Sequence, residues 1–334
     1  MAPGASAGGA TDRLRRDLVE LGGAGIAVCE LGDGAPPAEA GPGAVRVGVC
    51  RARDLPTEGL DAFDILLAAA VAAPRPWVSV DDVDAAAAQL GEQISRQPVA
   101  AGVAAQVLRA TLALSFDASL RLESLAYSML LASEGFRAWR AATPIRARPE
   151  TGAPRVLIED ADGALIIRLN RPERRNAFDA AMRDALAEAL AFALDHPDAP
   201  PVLLCGEGPA FSAGGDLDEF GQAGDVGLAH LVRTLRSPAA LVHALGERAA
   251  ARLHGACVGA GIEVPAAAAR VTAAPGTFFR LPEVSMGLIP GAGGTASIPR
   301  RVGRHRACWM AISGADVDLA TALSWGLVDA EDAP

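Results

Sequence analysis

The second half of the chain alternates short apolar runs with amphipathic segments, and this order restricts it to a layered α/β fold. Val156 to Glu159 and Leu165 to Leu169 predict two strands. Asp179 is the expected start of a helix, and Val202 to Cys205 predicts a fully apolar strand. A strand, a helix and a strand in this order predict a right-handed crossover in a parallel layer. Ala249 to Leu253 predicts a further strand.

The first 82 residues predict an irregular lead followed by short strands. A charged segment from Thr11 to Leu21 predicts a short helix. Apolar runs at 25–31, 44–50 and 77–80 predict strands between turn residues. The run from Leu60 to Val71 is mostly apolar, and we expect a helix there, although a short run of this kind also fits a strand.

Residues 83–142 show the spacing of amphipathic helices, and the prolines and charges of residues 143–154 predict a linker after them. The predicted helices run from 83 to 96, from 99 to about 114, from about 117 onward, and from 133 to 142. Asp117 is the expected N-cap of the third helix. The apolar side chains expected on one face of that helix are Leu122, Leu125, Ala126, Met129 and Leu130.

The charge and the residue types exclude several functions. The chain of 334 residues carries a net charge of −10, and an acidic surface repels the phosphates of nucleic acid. All 30 basic residues are arginine. Because there is no lysine, Schiff-base chemistry and the phosphate-binding lysine of nucleotide loops are excluded. We expect no nucleic-acid partner, and the sequence predicts no metal site.

The five cysteines are dispersed and form no closely spaced pair, which is typical of reduced thiols in a cytoplasmic protein. The first ten residues lack the basic and apolar regions of an export signal. No run of about eighteen apolar residues occurs, so we expect no membrane insertion. These observations predict a cytoplasmic protein.

Two glutamates lie beside glycine-rich stretches and among apolar residues. Glu263 follows the stretch 255–261, and Glu283 precedes the glycines of 287–294. Burial would raise the pKa of both carboxyl groups and suit them to acid–base chemistry. Buried glutamates also serve as structural hydrogen-bond partners, and glycines also form tight turns. From the residues alone, both interpretations stay open.

Several stretches of the second half resemble the enoyl-CoA hydratase/isomerase (crotonase) family, and the resemblance covers residues 155–332. In chain order, the stretches are Leu169–Pro172 with Asn176–Ala177, Phe211–Leu217, His254–Glu263, Leu281–Thr295 and Ala322–Val328. The run from Leu281 to Thr295 is the most specific of them. The resemblance implies an α/β core of crotonase type, a spiral of ββα units, over residues 155–334, with an added helical module.

The resemblance also implies an activity, the hydration of a 2-enoyl-CoA thioester to a 3-hydroxyacyl-CoA. Coenzyme A would be part of the substrate, and no separate cofactor is expected. Two backbone N–H groups, at Gly215 and Ala260, would form an oxyanion hole for the enolate. Glu263 and Glu283 occupy the positions of the two glutamates of the hydratase subgroup. Together they would activate a water for attack at C3 and deliver a proton to C2.

The resemblance places the coenzyme A part of the substrate along one glycine-rich turn. The residues expected to bind it are Ala213, Gly214, Asp216, Leu217 and Asp218, with Gly215 between them. Arg174 is a candidate ligand for a phosphate, although a solvated surface arginine is the alternative interpretation.

Five positions depart from the family pattern, and two of them, Arg280 and Leu281, stand where hydratases usually have small and amide residues. Ala260 replaces a usual glycine, which is tolerable for an N–H donor at negative φ. Pro265 requires the adjacent helix to begin near 261–264, because proline fits only a first turn. Arg280 places a charge beside Glu283, which we expect to lower the pKa of that carboxyl group. His254 is expected to be structural.

The order of the parts is also unusual for the family. Residues 83–142 resemble its helical C-terminal tail, especially at Ile94–Pro98 and Leu122–Phe136. We therefore expect a permuted arrangement with the helical module upstream of the core, and residues 1–82 as a degenerate α/β region. By analogy with the family, a homo-oligomer, a trimer or hexamer, is expected.

Other functions remain open at this point. Double-bond isomerisation of an enoyl-CoA requires only one acid–base carboxylate. A degenerate acyl-CoA-binding protein would account for the departures at Ala260, Pro265 and Arg280. Cofactor-free dihydroxyphenylacetyl-CoA dioxygenases also carry a helical part before the core, but they lack the paired glutamates.

Overall fold

The structure is a computed structural model that describes residues 13–14, 16–18, 25–32, 43–146 and 152–332. Most of the helix predicted from Thr11 to Leu21 lies outside the described residues, as does the middle of the linker predicted at 143–154. In the described part, the protein forms three β-sheets with helices packed between and around them.

The first sheet has four parallel strands in sequential order. They are β1 (Ile26–Glu30), β2 (Val45–Cys50), β3 (Ile65–Ala68) and β4 (Val78–Ser79). The helix predicted from Leu60 to Val71 is wrong, because a single 3-10 turn at Leu60–Ala62 leads directly into β3. Every residue of β3 is buried. A strand buried on both faces has no alternating pattern, and this makes it resemble a buried helix in sequence.

Four helices follow in residues 83–142. They are α1 (Val83–Arg96), α2 (Pro98–Thr111), α3 (Phe116–Leu131) and α4 (Glu134–Ala142). Ser133 caps α4, because its side chain accepts from the N–H of Phe136. The N-cap of α3 is Ser115 rather than Asp117. Asp117 lies instead in the first turn, where its negative charge interacts favourably with the positive end of the helix dipole.

The second sheet has six strands in the order β13-β10-β8-β7-β6-β5. They are β5 (Val156–Ala161), β6 (Ala164–Leu169), β7 (Val202–Gly206), β8 (Ala249–Leu253), β10 (Arg270–Ala273) and β13 (Ala330–Glu331). β5 and β6 are antiparallel, and the other pairs are parallel. The parallel pairing of β6 with β7 across a helix confirms the predicted layer.

A small third sheet and seven further helices complete the second half. The sheet contains β9 (Ala256–Val258), β11 (Phe278–Arg280) and β12 (Val317–Asp318) in the order β12-β11-β9. In the described part of this half, the helices are α5 (Ala180–Asp195), α6 (Val226–Leu235), α7 (Pro238–Leu245), α8 (Ala260–Glu263), α9 (Gly294–Val302), α10 (Arg304–Ser313) and α11 (Leu319–Trp325). Asp179 caps α5 as predicted, accepting from the N–H of Met182 at 2.7 Å.

The two halves share one apolar core. Leu130 and Phe136 of the helical segment belong to the same buried cluster as Ile262, Val284 and Leu288 of the second half. Helix α3 packs against α6 and α9, and α4 packs against the 3-10 turn that carries Glu283. This packing places the helical segment directly over the glycine-rich part of the second half.

The buried face of α3 agrees with the predicted one only in part. Leu130 is buried, and Leu122 and Ala126 pack against the core, as predicted. Leu125 and Met129 are instead more than half exposed, whereas Glu123, Ser124 and Ser128 are buried. The apolar pattern failed at those two positions because α3 also turns polar side chains toward the interior.

Three further properties concern the described ranges. None of the helices in the described ranges has the length and apolar character needed to cross a bilayer. The same ranges contain no group of three or more His, Cys, Asp or Glu side chains that could hold a metal ion. All five cysteines are free thiols.

Candidate active site

A cavity of about 650 Å³ lies between the helical segment and the second half of the chain. Of the residues predicted from the sequence, Gly215, Asp216, Ala260, Glu263 and Glu283 line it. The structure therefore brings both glutamates and both expected oxyanion donors to one cavity wall.

Glu263 ends the short helix α8 and is 2% exposed. Its Oε2 accepts hydrogen bonds from the main-chain N–H groups of Ala292 at 2.7 Å and Gly294 at 2.9 Å. Burial raises the pKa of Glu263 to about 7, and these hydrogen bonds oppose the rise because they stabilise the charged form.

The local sequence shapes this helix. Helix α8 begins at Ala260, one residue before the range expected from Pro265. Pro265 opens a separate 3-10 turn, Pro265–Ala267, so its missing N–H leaves no helical hydrogen bond broken. His254 is structural in this geometry, with Nε2 2.9 Å from the carbonyl oxygen of Gly208.

Glu283 opens a 3-10 turn after β11 and is 7% exposed. Its Oε2 is buried and accepts no hydrogen bond from any residue that the structure describes. Burial first, and then the charge of Glu263, raise the pKa of Glu283 well above its ordinary value.

The expected effect of Arg280 on Glu283 is wrong. The Nε and Nη2 atoms of Arg280 donate to Asp316 at 2.6 and 2.7 Å, in a partly exposed ion pair. The guanidinium is thus directed toward another carboxylate, and the pKa of Glu283 is raised rather than lowered.

The two carboxyl groups approach each other over Gly259. A Cβ atom on Gly259 would overlap Oε1 of Glu283 and would lie 3.7 Å from Oε1 of Glu263. Gly259 also has a positive φ of 49°, which side chains disfavour. Glycine at this position therefore allows the two acids to face the same space.

Two backbone N–H groups beside the acids are free to bind a ligand. Gly215 lies opposite Phe178 in a short β-bridge. The two hydrogen bonds of this bridge involve the neighbours of Gly215, because Phe178 accepts from the N–H of Asp216 and donates to the carbonyl oxygen of Gly214. The N–H of Gly215 is not used in the bridge. Ala260 is the first residue of α8, where helical N–H groups have no partner within the helix. Within the described ranges, neither N–H donates a hydrogen bond to the protein.

Asp216 belongs to a buried network of ion pairs that fixes the turn carrying Gly215. Nη1 of Arg171 lies 2.8 Å from Asp216 and 3.2 Å from Asp179. Nη2 of Arg174 lies 2.9 Å from both Asp216 and Asp218. The charge of Arg174 is therefore already compensated, and nothing in this geometry favours it as a phosphate ligand.

The remaining positions expected to bind coenzyme A do not line the cavity. They are Ala213, Gly214, Leu217 and Asp218. The N–H of Ala213 donates to the carbonyl oxygen of Arg175 at 2.8 Å, and the carboxylate of Asp218 accepts from the N–H of Arg146 at 2.9 Å. Their part in coenzyme A binding stays a prediction.

Sequence reasoning missed the contribution of the helical segment to the cavity wall. Glu123 and Tyr127 of α3 and Arg233 of α6 all line the cavity. The guanidinium of Arg233 lies over the ring of Tyr127, 4.6 Å from its centroid. The available signal was a glutamate beside serines on a helix with a largely apolar sequence.

Comparison with known proteins places this chain in a family. The sequence model of the family Enoyl-CoA hydratase/isomerase matches residues 159–333, a little over half of the chain. A probable enoyl-CoA hydratase of Rhodobacter capsulatus is 36% identical over 171 residues, which are 51% of this chain and 65% of that protein. A 1,2-epoxyphenylacetyl-CoA isomerase of Escherichia coli is 33% identical over 177 residues, 50% of this chain and 65% of that protein.

A solved structure shows the same core fold. The crystal structure of an enoyl-CoA hydratase from Mycobacterium smegmatis superposes with a TM-score of 0.50 at 30% identity, covering 55% of this chain and 71% of that chain. The chain spans less than two thirds of the length of the two curated relatives above. With its α/β core of crotonase type, the chain belongs to the enoyl-CoA hydratase/isomerase family.

Proposed function

We propose that the protein hydrates a 2-enoyl-CoA thioester to a 3-hydroxyacyl-CoA. The observation that carries this proposal is the meeting of two buried carboxyl groups, Glu263 and Glu283, over Gly259 in one cavity. Addition of water across a double bond needs one group that takes a proton and another that gives one. The paired acids supply both.

The carbonyl oxygen of the thioester is bound by the N–H groups of Gly215 and Ala260. Attack at C3 moves electrons onto this oxygen, and two fixed donors stabilise the enolate as its charge develops. In other enzymes, the loss of one such donor raises the barrier by about 3–4 kcal/mol. Both N–H groups lie on the cavity wall and have no acceptor in the described protein, which supports this role.

The hydrogen bonds of the two acids support opposite protonation states for them. Glu263 accepts two main-chain N–H groups, so its carboxylate form is stabilised and acts as the base. Glu283 is buried with an unpartnered Oε2, so it holds its proton and acts as the acid.

The reaction then balances within the site. Glu263 takes one proton from water as the hydroxyl adds to C3, and Glu283 gives its proton to C2. The two glutamates finish the cycle with their states exchanged, and a proton passes between them or through solvent to restore the first state.

The experiment replaces Glu283 with Gln and follows the loss of the enoyl-thioester absorbance of crotonyl-CoA. We expect kcat to fall by about 100-fold to 10,000-fold, the usual contribution of a general acid. Glu173→Gln is the matched control, since Glu173 is exposed and lies outside the cavity. Turnover by Glu283→Gln at the rate of the control would discredit the assignment.

Enoyl-CoA isomerisation is the second candidate, favoured by the similarity to a relative whose name is an isomerase. It needs one acid–base carboxylate, which moves a proton between two carbons without adding water. Assays of a 3-enoyl-CoA and a 2-enoyl-CoA side by side separate the reactions, because only an isomerase converts the first substrate without forming an alcohol.

A further inference from the structure

We propose that Glu123 of helix α3 is a positioning residue for the base Glu263, so that the site is complete only when the helical segment 83–142 packs on the second half of the chain. The inference rests on the proposed function and adds a residue to its machinery. It places a required group in the part of the chain that precedes the match to the family.

Glu263 and Glu123 accept hydrogen bonds from alternate main-chain N–H groups of residues 292–295. Glu263 accepts from the N–H groups of Ala292 and Gly294. Glu123 accepts from the N–H of Gly293 at 2.7 Å with Oε1, and from the N–H of Thr295 at 2.8 Å with Oε2. The position of this segment therefore depends on both acids, and a shift on the Glu123 side moves the donors that orient Glu263.

Thr295 strengthens the attachment. Its Oγ1 lies 2.7 Å from Oε2 of Glu123, and its carbonyl oxygen accepts from Oγ1 of Thr111 on α2 at 2.7 Å. Thr295 is thus hydrogen-bonded to α3 through its N–H and hydroxyl groups and to α2 through its carbonyl oxygen. Hydrogen bonds to a buried carboxylate are stronger than neutral ones.

The helical segment also lies directly on the neighbouring glycines. A Cβ atom on Gly291 would overlap the ring of Tyr127, and one on Gly287 would lie 2.5 Å from the main-chain nitrogen of Phe136. Side chains larger than hydrogen at these positions would push α3 and α4 away. The close approach shows that the segment after Glu283 is shaped to receive these helices.

A purely structural role does not require a carboxylate here. Glu123 is 2% exposed, and the hydrogen bonds that its carboxyl group accepts come from Gly293 and Thr295 rather than from an arginine. Burial and the charge of Glu263 raise the pKa of Glu123 to about 8. Burying such a group beside two other acids is unfavourable, and its three accepted hydrogen bonds are the compensating feature.

The electrostatic surroundings of Glu123 give a second readout. The titratable or charged groups that act on it or feel it are Glu263, Glu283, Tyr127 and Arg233. Once Glu123 is ionised, at a pH above about 8, its charge contributes to the raised pKa of Glu283. Removing that charge therefore lowers the pKa of Glu283. Losing the carboxylate also fixes less firmly the main-chain N–H groups that donate to Glu263.

The test compares Glu123→Gln with Asp117→Asn, the same acid-to-amide change at an exposed position of α3. An amide has one acceptor oxygen and turns its NH2 group toward a donor, so at least one attachment is lost. We expect kcat for crotonyl-CoA to fall by about 100-fold, the effect of a misplacement near 1 Å. KM should stay within about twofold, because Glu123 is not proposed to bind substrate.

The pH profile of kcat/KM supplies the readout that a structural role would not move. Its basic limb should shift to lower pH in Glu123→Gln and stay in place in Asp117→Asn. Thr295→Val, which removes one donor and keeps the carboxylate, should lower kcat by about tenfold. This second variant decides the case if Glu123→Gln does not fold.

The outcomes separate this inference from the proposed function. The inference is overturned if Glu123→Gln keeps the kcat and the pH profile of the wild type. If Glu123→Gln does not fold, an unchanged kcat in Thr295→Val overturns it. In both cases the proposed hydration activity is unaffected. A wild-type protein without hydration activity overturns both.

Discussion

The replacement Gly259→Ala is predicted to stop catalysis by displacing Glu283. The new methyl group would overlap Oε1 of Glu283. The backbone cannot move aside easily, because the N–H of Gly259 donates to Arg280 at 2.8 Å and its carbonyl oxygen accepts from Ile262 at 2.8 Å and Glu263 at 2.9 Å. The carboxyl group must therefore rotate away from the position between the acids.

Two effects set the size of the change. A displacement of the acid by about 1 Å costs on the order of 100-fold in rate, which corresponds to about 2.7 kcal/mol in the barrier. The backbone angles of Gly259, φ 49° and ψ −122°, lie in a region that costs other residues about 1–3 kcal/mol of folding free energy. The variant should thus be less stable but folded, and nearly inactive.

The assay measures kcat with crotonyl-CoA and the binding of a CoA thioester by calorimetry. Gly276→Ala is the matched control, because Gly276 has a φ of 78° and nothing within 4 Å of an added Cβ. Gly276→Ala places a side chain at a positive φ, as Gly259→Ala does, but without a contact to any neighbouring atom. The turnover of Gly276→Ala should therefore equal that of the wild type. Wild-type turnover by folded Gly259→Ala would refute the reasoning about the paired acids.

Two further predictions follow from the buried carboxyl groups. For the wild type, kcat/KM for crotonyl-CoA should rise with pH, with a midpoint near pH 7. The base Glu263 must lose its proton to act, and burial raises its pKa to about 7. A rise with a midpoint near pH 4.5 would contradict this prediction. The unfolding free energy should fall as pH rises from about 5 to 8, because folded Glu283 retains a proton that the unfolded chain has lost. Glu283→Gln should reduce that slope, to which the raised pKa values of Glu263 and Glu123 also contribute, and should gain about 1–3 kcal/mol over the wild type at pH 8 in urea unfolding. Parallel slopes for the two proteins would show that Glu283 is not held protonated.

Sequence patterns predicted elements with strong local signals. The bounds of α1 were predicted correctly, because Asp82 caps the helix through the N–H groups of Asp84 and Ala85, and Pro98 forces a new start. The order of β5, β6, α5, β7 and β8 was also predicted, since each of these strands is a short apolar run between turns.

The rest depends on tertiary contacts that no local pattern encodes. The strand at Ile65–Ala68 looked helical because both of its faces are buried. The sequence analysis did not single out Glu123, since nothing in its neighbourhood along the chain shows that the N–H of Thr295 will donate to it. Arg280 was assigned to the nearer glutamate in sequence, although Asp316 is its partner in space.

The pairing of Glu263 with Glu283 came from the family resemblance rather than from their spacing in sequence. The structure places the two side chains together over Gly259. The division of the chain at 82, 142 and 154 and the expected trimer or hexamer stay predictions, as does the binding of coenzyme A by the turn at 213–218.

Isotope incorporation tests the central claim most directly. Crotonyl-CoA is turned over by the wild-type protein in water enriched in deuterium and heavy oxygen, and the product is analysed by mass spectrometry. The account predicts one heavy oxygen at C3 and one deuterium at C2, delivered through the two glutamates. Deuterium in the recovered thioester without heavy oxygen at C3 would contradict it, because the acids would then move protons without adding water.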